Sequence, residues 1–194
     1  MARMILGSVL GGVAMWLVGF IFWGTPLSRI ALSALDDATG AAVQAALKQH
    51  LEAAGSGAYP VPWPGTDIGT TLYGQGPSAL VFFHSGGLPV VDSGALVGGL
   101  VLAIICSLLI GVALHALRDR VTTFADRMKL VIWFVLAATL WTDIGQPVFN
   151  HMPWRYFAYL WVSDVAGLIA AGAVIARWFL PRASMATTAT PPVA

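Results

Sequence analysis

Charge is what this sequence has least of. Only 10% of its 194 residues are Asp, Glu, Lys or Arg, against about 25% in soluble domains. So few charges cannot coat a water-soluble globule, and a mean hydropathy of +0.79 says that lipid is part of the solvent. Cysteine is nearly absent as well. Cys106 alone excludes a disulfide within the chain and argues against a thiolate metal site. The net charge of +1 leaves no basic stripe, so nucleic acid is not an expected partner. No Gly-rich phosphate loop, Ser-His-Asp set or zinc spacing occurs. No catalytic residue, metal site or cofactor is therefore assigned.

What the sequence does hold is four long apolar runs, from about Met4 to Trp23, Gly94 to Leu117, Phe124 to Ile144 and Tyr156 to Phe179. Some 20 apolar residues make a helix of about 30 Å, the thickness of the hydrocarbon core. The third run is the weakest, because Asp126, Arg127 and Lys129 crowd its start. It spans if Arg127 and Lys129 snorkel to the headgroups. Counting cations near the span ends gives the orientation. Arg3, Arg118, Arg120, Arg127, Lys129, Arg177 and Arg182 lie on one side, and Arg29, Lys48 and Arg155 on the other. Both termini are expected in the cytoplasm. The first run reads as an uncleaved signal anchor, being longer than a signal-peptide core and followed by no small-x-small site.

The expected fold class is an all-α membrane protein, a four-transmembrane-helix bundle with a small extramembrane helix-plus-hairpin cap in its first loop. Residues 1–24 form the first span, 25–93 the extracytoplasmic cap, 94–182 the other three spans, and 183–194 a disordered tail rich in Thr, Ala and Pro. Within the cap, Asp37-Ala-Thr39 can cap a helix that runs to Ala54 and stops at Gly55, with Val43, Leu47, Leu51 and Ala54 as its apolar stripe. Tyr59 to Gly65 is held extended or turning by its prolines. Ser78 to His84 reads as a strand ended by Gly86-Gly87.

This order of features resembles a family of small, uncharacterised four-span bacterial inner-membrane proteins. The residues that carry the resemblance are a Gly-rich first span ending in Phe22-Trp23, Gly57-Ala-Tyr59-Pro, Gly76-Pro77-Ser78-Ala-Leu80 and the three clustered spans. The resemblance implies topology and a bacterial inner membrane. It implies no activity, cofactor or site residue.

Small residues mark where helices approach closely in lipid. Gly99, Ala103, Ser107, Gly111 and His115 recur every four residues in the second span; Gly7 with Gly11 and Ser8 with Gly12 do so in the first, and Ser163, Gly167 and Ala171 line the fourth. These faces suit a compact bundle and equally suit helices of another protein, whether a homo-oligomer or a larger complex.

Two carboxylates carry the candidate chemistry. Asp164 lies eight residues into the fourth span, about 12 Å deep at 1.5 Å per residue, where a charge costs about 3 kcal/mol. It shares a helix face with Gly167 and Ala171, so it points into protein. It serves either a proton relay or polar ligand site, or a structural hydrogen bond. Asp143 ends the third span and Arg155 starts the fourth, each on the unfavourable end of its helix dipole, so an Asp143–Arg155 ion pair is expected. The intervening loop, residues 145–155, offers Gln146, Asn150, His151 and Met152 to a ligand, a quinone headgroup or copper, but one His beside one Met is a weak metal signal. His84 is a second outer candidate, and His115 falls near the opposite face. Trp23, Trp141, Trp154 and Trp178 suit the headgroup region, whereas Trp133 and Trp161 read as packing.

Three classes of function remain open. The leading expectation is a non-enzymatic accessory, assembly or scaffolding component of a membrane complex. The second is a small oligomeric transporter or channel with Asp164 on a proton or substrate path. The third is a membrane enzyme or redox protein using Asp143, His151 and Asp164.

Overall fold

A computed structural model of the chain describes residues 2–180; the tail expected at 183–194 lies outside them. In chain order the helices are α1 (Ala2–Trp23), α2 (Asp37–Leu51), α3 (Asp67–Gln75), α4 (Ser93–Ala116), α5 (Phe124–Thr139), α6 (Gly145–Asn150) and α7 (Trp154–Val174). The strands are β1 (Gly57–Val61) and β2 (Ala79–Phe83). Among the described residues, four helical runs are long and apolar enough to cross a membrane: α1, α4, Phe124–Asn150 and Trp154–Phe179. The protein is an integral membrane protein, mostly helical. Its chain divides into two compact units, one up to Ser33 and again from Ser93, the other Ala34–Asp92.

In the first unit α1 is the axis on which α4 and α7 pack. The contacts show why α1 needs small residues. A methyl group on Gly12 would lie 2.5 Å from the Cα of Ile104, and one on Gly11 would meet the Ser107 hydroxyl and the Ala171 carbonyl oxygen. Gly111 sits against the Ser8 hydroxyl, and Gly7 against the Phe179 side chain. Both neighbours run antiparallel to α1: Ser8 meets Gly111 while Trp16 donates to the Leu96 carbonyl at 3.1 Å. Likewise Gly7 meets Phe179 while Trp23 donates to the Ser163 hydroxyl at 3.1 Å. The stripe on α4 is buried at Ala103, Ser107 and Gly111, whereas its first member Gly99 is exposed. Leu114, Val131, Val135, Ile175, Ala176 and Leu180 close an apolar core near the arginine-rich end.

The third span departs from the expected snorkelling and from the expected loop. Arg127 is only 1% exposed; its Nε donates to the Val121 carbonyl at 2.9 Å and its Nη1 to the Ala176 carbonyl at 3.4 Å. The first acceptor lies in the connection before α5 and the second, buried, just past the end of α7, so the fork turns inward and the headgroups lose it. Lys129 does stay outside and pairs with Asp126 at 3.1 Å, while Thr123 caps the helix through the Asp126 N–H. At the other end the helix does not stop at Ile144. A π-helical turn, Leu140–Ile144, joins α5 to α6, the Gly145 N–H reaching back to the Leu140 carbonyl. A wide turn there admits Pro147, whose ring would crowd the Asp143 carbonyl in a regular helix. The connection to α7 shrinks to residues 151–153, with His151 in the left-handed region at φ 52. Trp133, expected to pack, is 69% exposed; it lies about 200° round α5 from the buried Val131.

In the second unit α2 is capped by Asp36, one residue earlier than expected; its carboxylate accepts from the Thr39 N–H at 2.9 Å and the Thr39 hydroxyl at 2.7 Å. Those two bonds hold the Asp36 carboxyl below the usual carboxylate range. A tight turn, Glu52–Ala54, follows α2, and the helical path ends at Gly55, φ +83. β1 pairs antiparallel with β2, Tyr59 opposite Val81 and Pro60 opposite Leu80. The short helix α3, capped by the Thr66 hydroxyl, lies between the strands and was not legible from the apolar pattern. Of the expected stripe, Leu47 and Leu51 are half-buried while Val43 and Ala54 are exposed.

Candidate functional site

The candidate site is the pair Asp143 and Asp164, at similar depth in neighbouring spans. Asp143 stands seven residues before the end of the third span and Asp164 ten after the start of the fourth, so about 10 and 15 Å from the same bundle end. The π-helical turn carries Asp143 inward until it is buried, and α7 packs against that turn. The Thr142 hydroxyl donates to Asp143 Oδ1 at 3.0 Å. Asp143 Oδ2 is buried with no hydrogen-bond partner among the described residues. Half-buried Asp164 is close enough to Asp143 for a Coulombic interaction.

No cation answers them among the described residues. Arg155, the expected partner of Asp143, points elsewhere. Its guanidinium donates to the carbonyl oxygens of Arg29 at 3.0 Å and Leu32 at 2.8 Å, and also to that of Ile30. The ion-pair expectation fails for a geometric reason. Extension of the helix to Asn150 sets Asp143 two turns below the end where Arg155 lies. The open carbonyls ending the tight turn Pro26–Ile30 then offer the guanidinium fork an acceptor set at its own level. Asn150 is engaged with Gln146 at 2.8 Å, and His151 is exposed. His84 bonds to the Gly86 carbonyl, and His115 to Arg118 at the opposite end of the bundle. No group of three or more His, Cys, Asp or Glu that would hold a metal occurs among the described residues.

Two features escaped the sequence reading. The Trp161 indole N–H is buried without a partner among the described residues; nothing local in the sequence distinguishes it from a packing tryptophan. The placement of Asp143 did leave a signal, because Pro147 four residues on has no N–H to give the Asp143 carbonyl, marking a break in the helix ladder. Near the site, α1 and α7 are joined by an aromatic cluster: Tyr159 donates to the Phe22 carbonyl at 2.6 Å, and Trp23 packs on Tyr159 and Tyr156. On the other side of α1, an apolar groove of about 460 Å³ opens between α1 and α4, lined by residues such as Met15, Trp16, Gly19, Leu96, Gly99 and Cys106.

Chemically, two carboxylates at similar depth in neighbouring spans, one with a buried oxygen left without a partner among the described residues, suit a shared proton. Comparison with protein-family profiles, with curated proteins and with solved structures yields no significant match to this chain.

Proposed function

We propose that this protein is a non-enzymatic accessory or scaffolding component of a membrane complex. It sits in a bacterial inner membrane with both termini cytoplasmic and Ala34–Asp92 as an extracytoplasmic cap. One observation carries the reading. The Ala34–Asp92 unit contains no fully buried apolar side chain among the described residues, while Trp63, Ile68 and Phe82 are exposed. A free domain of this size exposing so much apolar surface is poorly stabilised in water, so a partner is expected to cover it. The groove between α1 and α4, with glycine on both walls, supports the same reading, because small residues admit a foreign helix. The orientation rests on the cation count at the span ends.

The test is native mass spectrometry of the protein extracted gently from its own membrane. A stoichiometric complex with other membrane proteins is expected. A monomer or homo-oligomer alone would overturn the reading.

A second reading has its own support in Asp143, whose buried oxygen lacks a partner beside Asp164. Here the chain is a small oligomeric transporter or channel, with the two carboxylates on a proton or cation path. Proteoliposome flux that Asp164→Asn abolishes, with folding intact, would favour it; absence of flux in the parent protein would remove it.

A further inference from the structure

The Ala34–Asp92 unit combines two properties that rarely go together on a free surface. It is apolar outside: among its described residues only Gly69 is buried, and Phe82, Ile68 and Val91 are each about three-quarters exposed. It is also acidic. Asp36, Asp37, Glu52, Asp67 and Asp92 stand against Lys48 alone, a net charge of −4 with histidines neutral. The charge narrows the choice of what covers the apolar surface. A bilayer rich in anionic lipid repels a surface of that sign. A second copy would set −4 against −4, a juxtaposition that like-charge repulsion penalises. A protein segment with apolar anchors and Lys or Arg between them satisfies both properties at once.

The backbone shows where such a segment would attach. Among the described residues the sheet has two strands, so each has one free edge. The edge of β1 is blocked: Pro60 has no N–H, which makes its pair with Leu80 the non-hydrogen-bonded kind and turns the vacant position outward. By the alternation of an antiparallel ladder, the N–H and C=O groups of Leu80 and Phe82 also point outward, along the free edge of β2. No proline interrupts β2, and its large exposed side chains are Leu80 and Phe82 themselves.

We propose that the free edge of β2 docks an extended, cationic and apolar segment of another protein, which adds to the sheet as a third strand. The proposal rests on the accessory reading and names the chemistry of the partner. Strand addition supplies affinity through main-chain hydrogen bonds, and alternating side chains supply selectivity.

The experiment uses the full chain in discs of neutral phosphatidylcholine and three fluorescent decapeptides: alternating Val-Lys, alternating Val-Glu, and Val-Lys with prolines at alternate positions. The expected result is that only the first binds, and that it weakens by about tenfold or more at about 0.5 M salt. Phe82→Pro, which removes one outward N–H much as Pro60 does on β1, is expected to abolish binding. Because that variant could unfold the hairpin, a second variant, Glu52→Lys with Asp67→Lys, brings the unit to neutrality and is expected to weaken binding by about tenfold with circular dichroism unchanged. Equal binding of the Val-Glu peptide, binding of the proline-bearing peptide, or indifference to both variants would overturn the proposal. So would self-association of the discs, or their capture by phosphatidylglycerol vesicles, in place of peptide binding. The two failures are separable. Peptide binding that fails while native mass spectrometry still finds a stoichiometric complex removes the cationic segment and leaves the accessory role; a chain alone in its membrane removes the role itself.

Discussion

A methyl group on Gly12 would come within 2.5 Å of the Cα of Ile104, so the crossing of α1 and α4 is set by a missing side chain. The contact is with backbone, which cannot swing aside as a side-chain tip can. Gly12→Val is therefore expected to cost about 1–3 kcal/mol, measured as a lower thermal midpoint in detergent. Gly19→Val serves as the control, since Gly19 has nothing within 4 Å of the same position. Equal effects at the two sites would contradict the packing.

Arg155 should matter to the segment after α1 and not to Asp143. Arg155→Ala removes the bonds to the Arg29 and Leu32 carbonyls, worth no more than about 1 kcal/mol at this exposed position. The expected readout is faster tryptic cleavage after Arg29. Asp143→Ala should leave that rate unchanged; matching acceleration would restore the ion pair that the geometry denies.

Buried Arg127 ties the start of α5 to the end of α7 through Ala176. Charged hydrogen bonds of this kind contribute about 1.5–3 kcal/mol each. Arg127→Met, which also relieves the desolvation of the cation, is expected to lower stability by about 1–3 kcal/mol, while Lys129→Met, on the surface, changes it by less than about 0.5 kcal/mol. Chemical unfolding in mixed micelles reads both.

Asp143 and Asp164 should behave as one unit. If each carboxylate burdens the other, Asp143→Asn and Asp164→Asn each leave the fold at least as stable as the parent at neutral pH. The double variant then gains less than the sum, with a coupling of about 0.5–3 kcal/mol. Simple additivity in a double-mutant cycle would show that the two do not interact.

The cap of α2 has a pH dependence of known sign. The Asp36 carboxyl is held below its ordinary range by the Thr39 N–H and hydroxyl. Its support is therefore fully present above that ordinary range and is lost as pH falls through the lowered value. The protection factor of the Thr39 amide, its exchange rate taken relative to the intrinsic rate at each pH, should fall on acidification, and Asp36→Asn should flatten the profile, since Asn also caps but does not titrate there. Acceleration on raising the pH beyond the intrinsic exchange trend would contradict this.

What the sequence by itself determined is whatever rests on nearest neighbours and solvent. Apolar length alone located the four spans to within a few residues at most ends, because a helix in lipid must satisfy its own backbone and needs about 20 apolar residues to do so. Small residues every four positions likewise marked the face on which Ser8 and Gly12 meet Gly111 and Ile104. Tertiary structure decided the partners of the charges. Arg127 and Arg155 each had a plausible local destination, the headgroups or Asp143, yet both found backbone carbonyls brought near by other parts of the chain, Ala176 and the turn after α1. The π-helical turn likewise buried Asp143 at a depth close to that of Asp164, residues that no sequence period connects. A long flexible cation goes where unsatisfied acceptors are, and which carbonyls are left open is known only once helices have packed and ended.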